Sequence, residues 1–486
     1  MPFDYDLISI QEARDAARKA KAAQQVFAEF PQEKIDLIIK AMAEAGKANA
    51  EWLAKMAVDE TKFGVFEDKV IKNTFASTDV YNYIKGMKTV GVIKEDTEKK
   101  ILEVAAPVGV IMGIVPSTNP TSTVIYKALI SLKAGNAIVF SPHPSASRCT
   151  FAAAQVMHEA AVKAGAPDGI VGCLSKTTMA ATEELMHHDD TAVILATGGS
   201  AMVKAAYSAG KPAYGVGPGN VPVFIERTAD IRQAVADVIG SKTFDNGTIC
   251  ASEQAVIADE PIKEQVIAEM EAQGAYFLDR EEVKLVTRAV MTARGGMNPA
   301  LVGKSAKVIA DKAGIKVPEG TRVLVAPLEG YGPNYPLSYE KLTTVLGFYT
   351  AKDWHEACLL SIELLKLGGI GHSFVIHTQD EQVAREFIKK PVFRILVNTP
   401  SSLGAIGYTT GLAPSLTLGC GTWGGSSTSD NVTPLHLINI KRQAYGLKQA
   451  FGLKPGIGGG AELPGTGRLS SADIAEVVKA VLAKIS

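Results

Sequence analysis

Residues 108–144 read VGVIMGIVPSTNPTSTVIYKALISLKAGNAIVFSPHP, and this stretch decides the fold. Two short apolar runs, at residues 108–115 and 137–140, flank a stretch of helical composition at residues 121–133. Neither run alternates between apolar and polar residues, which is typical of strands buried on both faces of a parallel sheet. The stretch therefore predicts a βαβ unit, whose crossover is right-handed in nearly all known sheets.

The same alternation continues to about residue 226. Further apolar runs are found at residues 170–174, 192–195 and 221–225, with helical stretches at residues 146–164, 180–187 and 201–208. A second region in which apolar runs alternate with helical stretches extends from about residue 231 to about residue 407. Strands are predicted in it at residues 322–325, 345–349 and 374–377. Strands that alternate with helices predict the α/β class with parallel sheets.

The first hundred residues have helical composition instead. Ser9, Ile10, Gln11 and Glu12 have the spacing of a capping box, so we expect an Ala-rich helix to begin there and to run toward Phe30. Residues 98–116 then turn apolar and predict a strand or a strand pair.

Length and composition limit the class of protein. The 486 residues exceed what one hydrophobic core can serve, so two or three domains are expected. Hydrophobic residues make up 47% and charged residues 21%, which excludes a disordered chain and a small disulfide scaffold. A net charge of -1 gives no overall positive electrostatic field that would attract nucleic acid or an anionic membrane.

The compartment is expected to be cytoplasmic. No apolar run is long enough to cross a bilayer, and residues 1–10 lack the pattern of a secretory signal. The 5 cysteines have no CxxC spacing, so neither a disulfide framework nor a metal site is predicted.

The last part of the sequence differs in character. Residues 452–468 have the glycine- and proline-rich composition of a flexible linker, and residues 470–486 carry an apolar stripe at helical spacing. Such a helix could dock on the body of the same chain. The long linker favours docking on another protein instead.

Cys250 is the candidate nucleophile. It lies in the polar segment FDNGTICASE at residues 244–253, between helical stretches, where a loop can expose its sulfur. Asn119 follows a predicted strand at the carboxyl edge of the parallel sheet, where an amide donor suits an oxyanion hole. Cys420, between two glycines, is a rival nucleophile, and His372 could border the site or simply cap a strand.

Two further strand ends are candidates for a dinucleotide site, although Gly198 and Gly199 alone are more often typical of a tight strand-to-helix turn. Ser141, Pro142 and His143 follow the run at residues 137–140, where ribose or adenine would lie. The sequence ATGGS at residues 196–200 opens a helix and permits close approach of a pyrophosphate, although it is not the GxGxxG fingerprint.

Several motifs in the same order are similar to those of the aldehyde dehydrogenase superfamily. They are PSTNP at 116–120, FSPHP at 140–144, ATGG at 196–199, GVGPGN at 215–220, NGTIC at 246–250, EKL at 340–342 and LTLGCGTWGG at 416–425. The resemblance extends from about residue 9 to residue 444. It is most specific to the CoA-acylating aldehyde dehydrogenases, including the N-terminal half of bifunctional aldehyde–alcohol dehydrogenases.

The resemblance implies an aldehyde dehydrogenase-like fold with a Rossmann-type cofactor domain. Its expected divisions are a cofactor-binding domain at 1–226 with an oligomerisation strand near 98–108, a catalytic domain at 227–407, and an oligomerisation arm at 408–444. A homodimer or a homotetramer is expected. Residues 470–486 resemble an encapsulation peptide, which implies binding to the shell proteins of a bacterial microcompartment.

The resemblance also implies roles for individual residues. Cys250 corresponds to the catalytic nucleophile and Asn119 to the oxyanion amide. Glu340 corresponds to the glutamate that holds the nicotinamide ribose, although the full Glu-x-Phe-Gly-Pro pattern is absent. The residues expected to bind NAD, with NADP not excluded, are Ser117, Thr118, Ser141, Pro142, His143, Thr197, Gly198, Gly199, Gly217 and Glu340.

The expected acyl acceptor is coenzyme A. Hydrolytic relatives carry a water-activating glutamate in a Glu-Leu-Gly-Gly-Lys motif, whereas the matching position here is Val216, which cannot accept a proton. The expected reaction converts acetaldehyde or propionaldehyde, CoA and NAD⁺ into acyl-CoA and NADH. The alternatives are the same chemistry on sulfoacetaldehyde or succinic semialdehyde, a hydrolytic aldehyde dehydrogenase, and a mainly structural cargo protein.

Overall fold

The computed structural model describes residues 4–292 and 296–448. The predicted linker at 452–468 and the predicted helix at 470–486 lie outside the described residues. The α/β prediction is confirmed, because two parallel sheets with intervening helices account for most of the described strands.

Five helices and two strands come first along the chain. They are α1 (Tyr5–Phe27), α2 (Gln32–Ala48), α3 (Ala50–Thr61), α4 (Phe66–Thr74), α5 (Val80–Ile84), β1 (Gly91–Asp96) and β2 (Ile101–Pro107). The predicted start of α1 at Ser9 is wrong, because the Asp4 carboxylate caps the helix by accepting a backbone N–H of its first turn. Ser9 donates to a carbonyl within α1, and Glu12 accepts N–H groups from a distant loop.

The first parallel sheet has the strand order β5-β4-β3-β6-β7. Its strands are β3 (Val110–Val115), β4 (Ala137–Pro142), β5 (Val171–Cys173), β6 (Thr191–Thr197) and β7 (Ala213–Val216). The helices that connect them are α6 (Pro120–Lys133), α7 (Ser147–Lys163), α8 (Met179–His187) and α9 (Ser200–Ser208). The βαβ unit predicted from residues 108–144 is thus β3-α6-β4.

Helix α6 is buried on all sides, not on one face as an amphipathic helix would be. It packs against β3 and β4 on one side and against α2 and α7 on another. Its lysines find partners inside the protein: the Lys127 ammonium donates to the backbone carbonyls of Ile114 and Leu195, and Lys133 pairs with Asp36.

The second parallel sheet has the order β10-β11-β12-β9-β8-β13-β14. Its strands are β8 (Val221–Ile225), β9 (Glu253–Asp259), β10 (Ala275–Phe277), β11 (Val323–Pro327), β12 (Val345–Ala351), β13 (Gly371–His377) and β14 (Val392–Val397). Helices α10 (Ile231–Thr243), α11 (Lys263–Ala272), α12 (Arg280–Val290), α13 (Ala306–Ala313), α14 (Trp354–Lys366), α15 (Glu381–Glu386) and α16 (Ser401–Gly404) accompany them. Strand β8 pairs with β9 and β13 in this sheet, not with the strands that precede it in the chain.

A third, smaller sheet has the order β1-β2-β15, where β15 is Ile438–Ala444. Most side chains of β1 and β15 are exposed. An Arg442–Glu103 hydrogen bond of 3.1 Å joins the side chains of two of its strands. The use of this sheet as an oligomerisation arm stays a prediction, as does the division into domains at residues 226 and 407.

The described ranges contain no helix that is both long and apolar enough to cross a membrane. In the same ranges, no three histidine, cysteine or acidic side chains are grouped closely enough to hold a metal ion. All of the cysteines are free thiols.

Candidate active site

The loops that follow β3, β4 and β6 line two adjoining cavities of about 370 and 280 Å³. Both cavities are bounded by Pro116, His143, Thr197, Gly198 and Gly199. Every residue predicted to bind the cofactor lines at least one of them: Ser117, Thr118, Ser141, Pro142, His143, Thr197, Gly198, Gly199, Gly217 and Glu340. The structure therefore brings the predicted set together.

The chemistry of the lining fits a dinucleotide. The Thr197 hydroxyl is buried and has no hydrogen-bond partner among the described residues, so a polar group of a ligand would satisfy it. Gly199 precedes α9, and a Cβ built on it would meet no atom within 4 Å. That opening, with the N-terminal N–H groups of α9 behind it, suits a pyrophosphate.

The segment that carries Cys250 has unusual backbone geometry. Asp245, Asn246 and Gly247 all have positive φ, at 49°, 51° and 73°. Two of these residues are not glycine, so the conformation is strained and must be held by its surroundings. The Asp245 carboxylate holds it by accepting hydrogen bonds from the Val65 backbone N–H, from two lysines of α4 and from the Thr248 hydroxyl.

Cys250 is half-buried and lines the larger cavity. Burial raises the pKa of the thiol to about 12, with a smaller contribution from the neighbouring Glu340 carboxylate. The thiol is therefore protonated at neutral pH. A nucleophilic role for Cys250 accordingly requires a group that removes its proton.

His372, near the start of β13, lies beside that sulfur. Its Nε2 atom is 3.2 Å from Cys250 Sγ, and its Nδ1 atom is 3.0 Å from the Ser373 hydroxyl oxygen. Burial, with the nearby Arg394 guanidinium, lowers the pKa of His372 to about 3, so the ring is neutral at physiological pH. The sequence left open whether His372 borders the site, and the structure places it in contact with the thiol.

Asn119 lies immediately before α6 and lines the same cavity as Cys250. Its Oδ1 atom accepts a hydrogen bond of 2.6 Å from the Lys72 ammonium. Its Nδ2 atom donates to the Thr248 carbonyl at 2.9 Å, two residues before Cys250, and lies 3.3 Å from the Thr118 hydroxyl. The sequence predicted Asn119 but gave no signal for Lys72.

Glu340 approaches the segment at residues 244–250, the nucleophile loop named for the predicted nucleophile Cys250, from another direction. Its carboxylate accepts the Gly219 backbone N–H at 2.9 Å, and burial raises its pKa to about 7. Gly219 itself passes very close to Cys250, because a Cβ at this position would lie 2.1 Å from the Cys250 carbonyl oxygen. Only glycine fits here.

Two other predictions concern the surroundings of the thiol. Val216 is buried and lines the larger cavity. The position at which hydrolytic relatives carry a water-activating glutamate therefore has a hydrocarbon side chain here. The rival nucleophile Cys420 is buried, donates to the Leu418 carbonyl at 3.5 Å, and does not line that cavity. A substrate in the cavity therefore meets Cys250, not Cys420.

Residues 4–276 match the sequence model of the aldehyde dehydrogenase family. The bifunctional aldehyde-alcohol dehydrogenase of Escherichia coli strain K12 is 48% identical over 442 residues, which are 90% of this chain and 50% of the relative. The chain thus spans about half the length of the curated relatives it first matches. A succinate-semialdehyde dehydrogenase (acetylating) of Clostridium kluyveri is 39% identical over 90% of this chain and 96% of the relative.

Solved structures give a similar result. An acetylating aldehyde dehydrogenase from Geobacillus thermoglucosidasius is 55% identical, covering 93% of this chain and 100% of its own, with a TM-score of 0.91. A propionaldehyde dehydrogenase from the Clostridium phytofermentans fucose utilisation bacterial microcompartment is 31% identical, covering 89% and 97%, with a TM-score of 0.81.

Proposed function

The chain belongs to the aldehyde dehydrogenase family, and from that premise we propose that it is a CoA-acylating aldehyde dehydrogenase. The observation that carries the proposal is one cavity lined by a thiol, by an amide donor and by a valine where a hydrolytic enzyme keeps its base, with a buried neutral imidazole 3.2 Å from the thiol. The acetylating and propionaldehyde enzymes among its relatives support the same subclass.

The first step is attack of Cys250 Sγ on the aldehyde carbon. His372 Nε2, 3.2 Å from the sulfur, is the atom placed to accept the thiol proton as the sulfur attacks, and the Ser373 hydroxyl lies 3.0 Å from Nδ1 on the other side of the ring. The Asn119 amide and the Cys250 backbone N–H stabilise the oxyanion. A bound nicotinamide dinucleotide, proposed to be NAD with NADP as the alternative, supplies the acceptor for the aldehyde hydride.

The resulting thioester on Cys250 then needs an acyl acceptor. Water is a poor one here, because Val216, at the position of the hydrolytic base, cannot deprotonate it. A thiol such as CoA ionises far more readily than water near neutral pH. It attacks the thioester carbon, acyl-CoA leaves, and Cys250 regains its proton.

The lining of the larger cavity favours a neutral, short aliphatic aldehyde. Its apolar side chains are Phe63, Pro116, Val216, Pro218, Ile249, Pro299, Val302, Leu342, Ile406, Leu416 and Leu418. Neither lysine nor arginine is among its lining residues, so an anionic aldehyde would not pair directly with a cationic side chain of the lining. We therefore propose acetaldehyde or propionaldehyde ahead of sulfoacetaldehyde or succinic semialdehyde.

The test is NADH formation from a panel of these four aldehydes, with and without CoA. With CoA we expect steady turnover on the two neutral aldehydes, and without it a single burst of about one NADH per active site. Repeated rapid turnover to free acid without CoA would contradict the acylating assignment. It would point to Glu340 as a base for water, because that carboxylate also lines the cavity.

We also propose that this enzyme acts inside a bacterial microcompartment in the cytoplasm, as a homodimer or homotetramer. The support is the predicted linker and apolar stripe at residues 452–486, together with the microcompartment origin of one relative. A short amphipathic helix is marginal alone in water and gains stability by burying its stripe on a partner. The proposed partner is a shell protein.

Deleting residues 452–486 tests the proposed role of this segment. We expect the truncated enzyme to keep its kcat and its oligomeric state, to be more soluble, and to lose co-purification with shell proteins. A full-length variant with Val477 and Val481 replaced by aspartate is the matched control, because it alters only the apolar stripe. Loss of activity or of the oligomer in either variant would mean that the segment belongs to the enzyme body.

A further inference from the structure

Three buried charged residues lie behind the proposed oxyanion site. Lys69 and Lys72, on successive turns of α4, and Asp245, in the nucleophile loop, are at most 3% exposed. The Asp245 Oδ2 atom accepts from Lys69 Nζ at 2.9 Å and from Lys72 Nζ at 2.6 Å. A cluster of this kind carries a large desolvation penalty, so its partners must be placed well for the fold to tolerate it.

The two lysines differ in what else they touch. Lys69 Nζ donates to the Thr118 backbone carbonyl, at 2.9 Å. Lys72 Nζ donates to the side chain of Asn119, at 2.6 Å, and lies 3.3 Å from the Thr248 carbonyl oxygen. Lys72 is thus the lysine that contacts both the Asn119 amide and the loop that leads to Cys250.

The chemistry of an ammonium decides how the amide is oriented. A lysine ammonium has donors only, so the atom of Asn119 that faces it must be the carbonyl oxygen. The Nδ2 group is then directed to the opposite side, toward the Thr248 carbonyl and the cavity. A flipped amide would place an NH₂ against an ammonium and an oxygen where the oxyanion develops.

The geometry points to a function for this contact, which rests on the proposed acylating activity. We infer that Lys72 is a positioning residue, which locks the Asn119 amide in the orientation that donates to the oxyanion and fixes that amide relative to the Cys250 loop. Its charge also polarises the amide, which makes a stronger donor of the Nδ2 group, 3.3 Å from the Thr118 hydroxyl.

The protonation of Lys72 agrees with this role. Burial lowers the pKa of Lys72 to about 8, against the opposing effect of Asp245. The other charged groups facing it are Lys69 and Asp68, both on its own helix. The ammonium form therefore predominates at neutral pH.

The test compares Lys72→Met with the matched control Lys69→Met. Both remove a buried ammonium that pairs with Asp245, but Lys72 alone contacts the Asn119 side chain. We expect Lys72→Met to lower kcat by about 10–10²-fold, with little change in the KM for aldehyde, because an oxyanion contact acts in the transition state. Lys69→Met should lower kcat clearly less than Lys72→Met does, at a similar melting temperature.

A double-mutant cycle separates positioning from folding. In an Asn119→Ala background, Lys72→Met should lower kcat by less than about threefold more, because the residue it positions is already gone. The inference would be overturned if the two lysine variants lost kcat equally. It would also be overturned if Lys72→Met lowered kcat as much in the Asn119→Ala background as it does in the wild type.

A second pair of variants covers the case in which the methionine variants do not fold. Lys72→Gln keeps an N–H donor for Asn119 Oδ1 and should retain more kcat than Lys72→Met wherever both fold. Compared with Lys69→Gln, it should still show the larger loss of kcat, and equal values would overturn the inference. Wild-type turnover with CoA is measured first. Absence of that turnover would contradict the proposed function. Failure of this inference would appear only in the ratios of kcat between the Lys72 and Lys69 variants.

Discussion

Replacing Cys250 by serine is expected to abolish CoA-dependent NADH formation. The hydroxyl that replaces the thiol is a weaker acid and a poorer nucleophile, and it would form an ester where a thioester is needed for transfer to CoA. Loss of a nucleophile that acts with a base lowers kcat by roughly 10⁴-fold or more. The measurement is NADH formation with saturating aldehyde, CoA and NAD⁺.

The fold should survive this change. Serine is slightly smaller than cysteine, and its hydroxyl can donate to the same His372 Nε2 atom that lies 3.2 Å from the sulfur. The melting temperature and the affinity for NAD⁺, measured by calorimetry, should stay close to those of the wild type. That result would assign the loss to the chemical step.

Two control variants refine this prediction. His372→Ala leaves the nucleophile but removes the neutral imidazole, so the NADH burst should be slower by roughly 10²–10⁴-fold. Cys420→Ala should leave turnover unchanged, because Cys420 lies outside the cavity lining. Substantial activity in Cys250→Ser together with its loss in Cys420→Ala would reverse the assignment of the nucleophile.

The parts of the site that the sequence predicted are those built from contiguous residues. The buried strand β3 is recognisable from its unbroken apolar run, and the polar residues after it must lie at the carboxyl edge of the sheet. Cys250 is recognisable from its loop composition. Such local patterns depend on backbone geometry within a few residues, which the sequence encodes directly.

The contacts that could not be predicted from the sequence join residues that are far apart in the chain. Lys72 lies 173 residues before Asp245, and His372 lies 122 residues after Cys250. A lysine on a helix is usually solvated, so nothing in α4 distinguishes Lys72 from an exposed lysine until the nucleophile loop packs against it. The same reason explains α6, whose burial on all sides depends on helices far away in the chain.

Replacing Asn119 by alanine is expected to lower kcat by roughly 10²–10³-fold, the usual effect of removing one oxyanion donor. The amide contacts the loop and not the thiol itself, with 2.9 Å between Nδ2 and the Thr248 carbonyl oxygen. The nucleophile and its base should therefore remain. The expected signature is a lower rate of the NADH burst with an aldehyde KM within a few-fold of the wild type.

Asn119→Asp is the sharper control, because it keeps the shape of the side chain and an oxygen for the Lys72 ammonium. It replaces the N–H donor by a second oxygen, which would repel a developing oxyanion. We expect it to lose at least as much kcat as Asn119→Ala. If the aspartate variant instead kept its kcat, or if the alanine variant changed KM alone, Asn119 would serve to bind the aldehyde and the oxyanion would depend on backbone N–H groups.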